Sequence, residues 1–341
     1  MSHVKPSKIA VLGGGSWGTT TASVISRNCQ TVLWARDATI VDQVNREHRN
    51  YRYLDDAALH PKLTATENIQ SAVSEADAVL IAVPSSHFRD VLASALAQLP
   101  KHIPVISLSK GLEKGSRMRM TQIIAEIAPT NIPGVLTGPN LAKEIVTGQA
   151  AASVLALAQH EAALRLQPVL NAGLFRVYTN RDVIGCELGG VLKNIIAIAV
   201  GMGDGLGAGD NTRAALITRG LAEMSRLGRA LGGDANTFSG LAGMGDMIAT
   251  CTSPQSRNRH VGMEVARGRP IDEIISNMHM VAEGVKSAPT VIELAREKDI
   301  SLPISEDVYR VIIGESNARG VYKGLLPVSY THLRAHETRI H

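Results

Sequence analysis

The chain reads as a two-part α/β protein: a doubly wound parallel sheet built from βαβ units, followed by an all-helical domain. Three observations predict this. Short apolar runs alternate with helical stretches through the first half, and a glycine-rich turn closes the first of those runs. Beyond about Asp182 the alternation gives way to long stretches rich in Ala, Leu, Ile and Met. The 341 residues are enough for two domains of ordinary size. The expected units are residues 1–182, residues 183–326 and a tail, 327–341.

The strands are expected at Ile9–Leu12, Thr31–Ala35, Ala78–Val83, Val105–Leu108 and Gly134–Leu136, several of them bounded by Gly or Pro. Strands buried on both faces of a parallel sheet read as continuous apolar runs, and such a sheet binds ligands at its carboxyl edge. In the second half, Glu187–Gly201 and Thr212–Leu231 read as helices. Asn211-Thr212 and Ser305 stand where N-caps are expected, and Gly232-Gly233 where a helix should end. The tail PVSYTHLRAHETRIH holds three of the eleven histidines but no apolar periodicity, and reads as disordered or non-native rather than as a metal site.

Composition narrows the function. A hydrophobic share of 45% with 19% charged residues belongs to a globular protein, and a net charge of +4 with scattered basic residues lacks the footprint of a nucleic-acid binder. A small anionic ligand is the better match. Cys29, Cys186 and Cys251 lie far apart without CxxC spacing, so neither a disulfide framework nor a metal site is expected, and a cytoplasmic setting is the simplest. The start of the chain lacks a signal-peptide pattern. No membrane span is expected either, since the apolar run Ile195–Met202 is short and follows Lys193 and Asn194.

Residues 9–18, IAVLGGGSWG, set a strand before Gly13-x-Gly15-x-x-Gly18, and the helix-compatible Thr19–Arg27 follows. In a dinucleotide fingerprint the first glycine permits the tight turn, the second lets backbone approach the pyrophosphate, and the third lets helix pack on strand. Strand, fingerprint and helix in that order predict a Rossmann-type domain. Where the fingerprint calls for an acidic residue on the ribose hydroxyls, Arg36 stands, followed by Asp37. An arginine there can accept a 2′-phosphate, so NADP is expected to be used and NAD remains open; the competing reading is a solvated strand-end arginine.

Three further clusters carry chemistry. Lys193 sits in ELGGVLKNIIAIAVG, where nearly every neighbour is apolar. An ammonium kept there calls for a carboxylate or anionic ligand and has its pKa lowered by desolvation, unless it snorkels to water. Lys110 follows the strand Val105–Leu108, on the carboxyl edge that should also carry Pro84 and Gly138-Pro139-Asn140. In GMGDMIATCTSPQSRNR, Asp246 and Thr250 share a helical face, while Ser256, Arg257 and Asn258 open the next helix. A helix start bearing an arginine with hydroxyl and amide donors suits an anion, although capping by Ser256 explains part of the pattern.

Taken together, GGGSWGT, the SKG around Lys110, GPNLAKE, ELGGVLKN, GLAGMGD and SRNR resemble the bacterial NAD(P)-dependent glycerol-3-phosphate dehydrogenases, from about Ile9 to Gly324. The resemblance implies a helical domain of the 6-phosphogluconate dehydrogenase-like type. It also implies reduction of dihydroxyacetone phosphate to sn-glycerol 3-phosphate, a phospholipid precursor. Lys193 matches the family's proton donor and acceptor, Lys110 the lysine touching substrate and cofactor, and Asp246 the carboxylate expected to orient Lys193. Gly138, Asn140, Thr250, Ser256, Arg257 and Asn258 fall in the substrate set. Gly13, Gly15, Ser16, Trp17, Gly18, Arg36, Tyr53, Lys110, Ala142, Arg257, Val281 and Glu283 fall in the cofactor set. Gly14 replaces an alanine and Asn140 a serine common in the family, and the tail matches nothing.

The nearest rival, a hydroxyacid dehydrogenase of the 6-phosphogluconate type, usually carries asparagine four residues after its lysine, where this chain has Ala197. A nucleotide-sensing regulator should have lost the catalytic lysine, which is present. The apolar helical domain leads to the expectation of a homodimer.

Overall fold

The computed structural model describes residues 5–278 and 281–325; the expected tail, 327–341, lies outside them. Its sheet has eight strands: β1 (Lys8–Leu12), β2 (Gln30–Trp34), β3 (Leu63–Thr66), β4 (Ala78–Ile81), β5 (Pro104–Ser107), β6 (Ile132–Thr137), β7 (Ala151–Leu157) and β8 (Phe175–Asn180). Their order is β3-β2-β1-β4-β5-β6-β7-β8. The first six are parallel, β7 runs antiparallel to β6, and β8 runs parallel to β7. The chain leaves β1 toward β2 and then crosses back to β4, so the strand order reverses beside β1, where a ligand crevice forms.

Alternate residues of β1 enter two separate cores. Ile9 and Val11 pack with Leu33, Leu80 and Ile106, while Ala10 and Leu12 pack with Val79, Ile81 and Val105. That two-sided burial explains the continuous apolar runs of the central strands. Three strands escaped the sequence reading. Only one residue of β3 is fully buried, and β8 alternates Phe175 and Val177 inward with Arg176 and Tyr178 outward. The third, β7, is AASVLAL, a run that suits a helix as well as a strand.

The helices around and behind the site include α1 (Ser16–Ile25), α2 (Ala142–Val146), α3 (Val183–Gly205), α4 (Asp210–Ala230), α5 (Asp246–Thr252), α6 (Arg257–Ala266), α7 (Glu283–Glu297) and α8 (Pro303–Ile312). Helix α3 is the axis of the second half, with every residue from Gly185 to Gly203 buried. It is long and apolar enough to cross a membrane, but 89% of its most apolar window is buried inside the protein, which marks it as a core helix. A Cβ on Gly201 would lie 2.0 Å from the Arg259 carbonyl oxygen, and one on Gly262 2.1 Å from that of Ile198. Helices α3 and α6 therefore touch backbone to backbone.

Two expected caps are corrected. Helix α4 starts at Asp210 behind Gly209, so Asn211 and Thr212 lie inside its first turn. Ser305 lies within α8, which opens at Pro303. The buried first-turn N–H groups of α8 are met by a carboxylate from α4: Glu223 accepts from the backbone N of Ile304 (2.6 Å) and Ser305 (3.1 Å) and from Ser305 Oγ (2.8 Å). Pro303, at the first turn, has no N–H that needs a partner. Gly232 ends α4 as expected, with φ of +95°.

Candidate active site

A cleft of about 720 Å³ opens at the carboxyl ends of β1, β2, β4 and β5 and is closed on its far side by α3, α5, α6 and the start of α7. Its nucleotide end is the turn after β1. Gly13 holds a φ of +127°, and a Cβ there would meet the Ala82 carbonyl oxygen at 2.4 Å. A Cβ on Gly18 would fall 2.0 Å from the Gly13 carbonyl oxygen, so that glycine seats α1 on the turn. Around Gly15 there is open space, as a backbone that must approach a pyrophosphate requires. Trp17 lines the cleft with its Nε1 buried and unpartnered, its ring edge-on to Phe175. These features fit a bound dinucleotide.

At the end of β2, Arg36 and Arg52 both line the cleft. Asp37 is fully engaged: its Oδ1 accepts from Thr39 N (2.9 Å) as the cap of the short helix Ala38–Asp42, and its Oδ2 pairs with Arg52 (3.1 Å). The carboxylate that leaves NAD open in the sequence thus already accepts from two protein donors, while its side chain stays 38% exposed. Tyr53 also lines the cleft, under the Arg52 guanidinium at 5.4 Å.

At the opposite end two lysines share one carboxylate. Lys193 Nζ donates to Asp246 Oδ1 (2.5 Å) and to Thr250 Oγ1 (2.5 Å), while Lys110 Nζ donates to Asp246 Oδ2 (2.6 Å) and to the Gly138 carbonyl (2.8 Å). The expected helical pairing of Asp246 and Thr250 is present, since the Thr250 hydroxyl also donates to the Asp246 carbonyl at 2.6 Å. Asp246 lies behind both lysines and is 1% exposed, so it reaches a ligand only through them. Burial pulls Lys193 from 10.5 down to about 8; the charge of Asp246 opposes the fall and that of Lys110 adds to it. An ammonium so placed can exchange its proton near neutral pH.

Ser256 caps α6 by accepting from Arg259 N (3.3 Å), and Arg257 donates to the Val281 carbonyl (2.9 Å) while lining the cleft. Asn258 spends both ends of its amide on protein groups, donating to Asn194 Oδ1 (2.9 Å) and accepting from Gly284 N (3.0 Å). Glu283 accepts from Ser85 N (3.1 Å) and Ser85 Oγ (2.7 Å), which ties α7 to the loop after β4. Ala142 contacts α1 rather than the cavity, its carbonyl accepting from Thr20 at 3.3 Å. Gly15, Ser16, Trp17, Pro84, Asn140, Val281 and Glu283 all line the cleft; Gly18, Gly138 and Asp246 support it from behind.

Asn194 was missed by the sequence reading. Its amide donates to the carbonyls of Lys110 (3.3 Å) and Gly190 (3.2 Å), joining α3 to the Lys110 loop. A carboxamide next to Lys193 in an otherwise apolar helix was the available signal. Gln255 and Arg52, also in the lining, carried none. Among the described residues, no group of three or more His, Cys, Asp or Glu side chains is placed to hold a metal ion.

Known proteins match this architecture along nearly its whole length. The family profile described as the NAD-dependent glycerol-3-phosphate dehydrogenase N-terminus matches residues 8–163, and its C-terminal counterpart matches residues 182–323. A Sphingopyxis alaskensis protein named glycerol-3-phosphate dehydrogenase (NAD(P)+) 2 is 60% identical over 322 residues, covering 94% of this chain and 97% of its own. A Mycobacterium avium protein named glycerol-3-phosphate dehydrogenase (NAD(P)+) is 49% identical over 326 residues, 95% of this chain and 96% of its own. The crystal structure of glycerol-3-phosphate dehydrogenase from Coxiella burnetii superposes with a TM-score of 0.90 at 36% identity, covering 94% of this chain and 99% of that one. With both halves matched in order, the chain belongs to the NAD-dependent glycerol-3-phosphate dehydrogenase family.

Proposed function

We propose that this enzyme interconverts dihydroxyacetone phosphate and sn-glycerol 3-phosphate in the cytoplasm, working mainly toward glycerol 3-phosphate for phospholipid synthesis. The observation that carries the reading is the pair of lysines on Asp246, set in the same cleft as the glycine turn. A bound NAD(P)H supplies the hydride to the carbonyl carbon. As charge develops on the carbonyl oxygen, the Lys193 ammonium stabilises it and then delivers the proton, and Asp246 keeps that ammonium charged and aimed. Lys110, held by Asp246 and Gly138, brings a second positive charge to the same oxygen. Arg257 and the capped start of α6 hold the phosphate, and Thr250 and Asn140 complete the substrate wall.

Gly13–Trp17 would hold the pyrophosphate of a dinucleotide, with Arg36 and Tyr53 available to its adenosine end and Val281 and Glu283 to its nicotinamide end, all of them lining the one cleft. Arg36 favours NADP, and Asp37 beside it keeps NAD usable. The decisive assay follows the loss of reduced-cofactor absorbance on adding dihydroxyacetone phosphate, with NADPH and NADH in parallel. Oxidation of at least one is expected; no oxidation of either refutes the assignment.

A further inference from the structure

Strand β7 is antiparallel to β6, which brings its first residues to the edge of the sheet where the parallel strands end and the cleft opens. Ser153, the residue before the β6 partner Val154, is wholly buried there. Its Oγ donates to Asn140 Oδ1 at 2.5 Å. Beside this contact the loop packs tightly: Gly138 has φ of +125°, and a Cβ on it would lie 3.2 Å from both the Ala152 carbonyl oxygen and Ser153 Cα. The Gly138 carbonyl in turn accepts from Lys110 Nζ. Asn140 lines the cleft, and its Nδ2 is buried without a partner.

We propose that Ser153 is a positioning residue for substrate binding, its hydroxyl fixing the Asn140 carboxamide so that the amide N–H is kept for an oxygen of the bound substrate. The proposal rests on the glycerol-3-phosphate reading above. One end of the carboxamide is tied to β7, so the plane of the group is set before a ligand arrives. A buried donor left unmatched is costly, and the carbonyl, hydroxyl and phosphate oxygens of a phosphorylated three-carbon ketone all match it. Without Ser153 the carboxamide turns about its side-chain bonds, and part of the binding free energy is spent on ordering it again.

The test is a double-mutant cycle on the intact enzyme using Ser153→Ala, Asn140→Ala and the double variant. KM and kcat for dihydroxyacetone phosphate, KM for NADPH and the melting temperature are measured for each. Ser153→Ala is expected to raise the KM for dihydroxyacetone phosphate about tenfold, the loss of one ordered hydrogen bond, with kcat and the NADPH KM within twofold. In the Asn140→Ala background, the same change should move that KM less than twofold. A substrate KM unmoved by Ser153→Ala, or raised by the same factor in both backgrounds, overturns the proposal. So does a rise shared equally by the NADPH KM, which is the mark of general loosening. A wild-type enzyme inert toward dihydroxyacetone phosphate overturns the functional reading and this proposal together; an active wild type with an unaltered Ser153→Ala variant overturns the proposal alone.

Discussion

Replacing Asp246 by Asn removes the carboxylate that a buried and a partly buried ammonium share while nearly preserving the shape of the side chain. In the native site, burial and the Lys110 charge lower the Lys193 pKa to about 8, and Asp246 is the group that resists them. The fall from 10.5 corresponds to about 3 kcal/mol of net disadvantage for the ammonium. A contacting unit charge is worth roughly 4 kcal/mol at an effective dielectric constant near 20, which exceeds that net cost. Its loss should therefore carry the Lys193 pKa well below 7. The assay is the pH profile of kcat/KM for dihydroxyacetone phosphate, which reports groups of the free enzyme and substrate. Reduction requires the protonated lysine, so the wild-type profile should fall as pH rises through about 8. Oxidation of glycerol 3-phosphate requires the neutral amine and should rise through the same region. In Asp246→Asn the falling limb should move to lower pH by at least about one unit, and the maximum should drop about a hundredfold or more. Titration of the substrate phosphate near pH 6 is common to both proteins and cancels in the comparison. A limb that stays near 8 in the variant would show that the titrating acid is not Lys193 held by Asp246.

Arg257→Ala should raise the KM for dihydroxyacetone phosphate at least about tenfold, the usual worth of a charged hydrogen bond, with a much smaller change in kcat; an unchanged KM would place the phosphate elsewhere. Arg36→Ala should lower kcat/KM for NADPH at least about tenfold and leave that for NADH nearly unaltered. Equal losses for both cofactors would remove Arg36 from 2′-phosphate recognition. Gly201→Ala puts a methyl 2.0 Å from the Arg259 carbonyl oxygen, so calorimetry should show a loss of at least about 2 kcal/mol. An unshifted melting temperature would mean that α3 and α6 separate more easily than their contact implies.

The nucleotide half was legible because its determinants are local. Gly13, Gly15 and Gly18 act within one turn, and the central strands announce themselves as apolar runs because both their faces are covered. The edge strands β3 and β8 were not, since one covered face leaves only a weak alternation. The second half was legible in its chemistry before its geometry. A lysine among apolar residues at position 193 required a counter-charge, and Asp246, 53 residues away, provides it. What no local pattern held was the wiring between elements. Glu223 caps a helix 80 residues further on, Asn258 turns its amide to Asn194 and Gly284, and Ser153 reaches Asn140 only because β7 reverses direction. Those contacts depend on packing, which spacing along the chain does not encode.

The two lysines reach Asp246 from opposite halves of the molecule. Lys193 and Asp246 stand on α3 and α5, within the bundle where α3 and α6 are locked backbone to backbone, whereas Lys110 rides on the loop after β5. A hinge motion that parted the halves would draw Lys110 from the shared carboxylate and leave Lys193 with the whole of it. Because Lys110 is one of the causes of the low Lys193 pKa, the parted form would hold its proton more tightly than the closed one. The hold of Lys193 on its proton is thus set jointly by the two halves, through the one carboxylate they share.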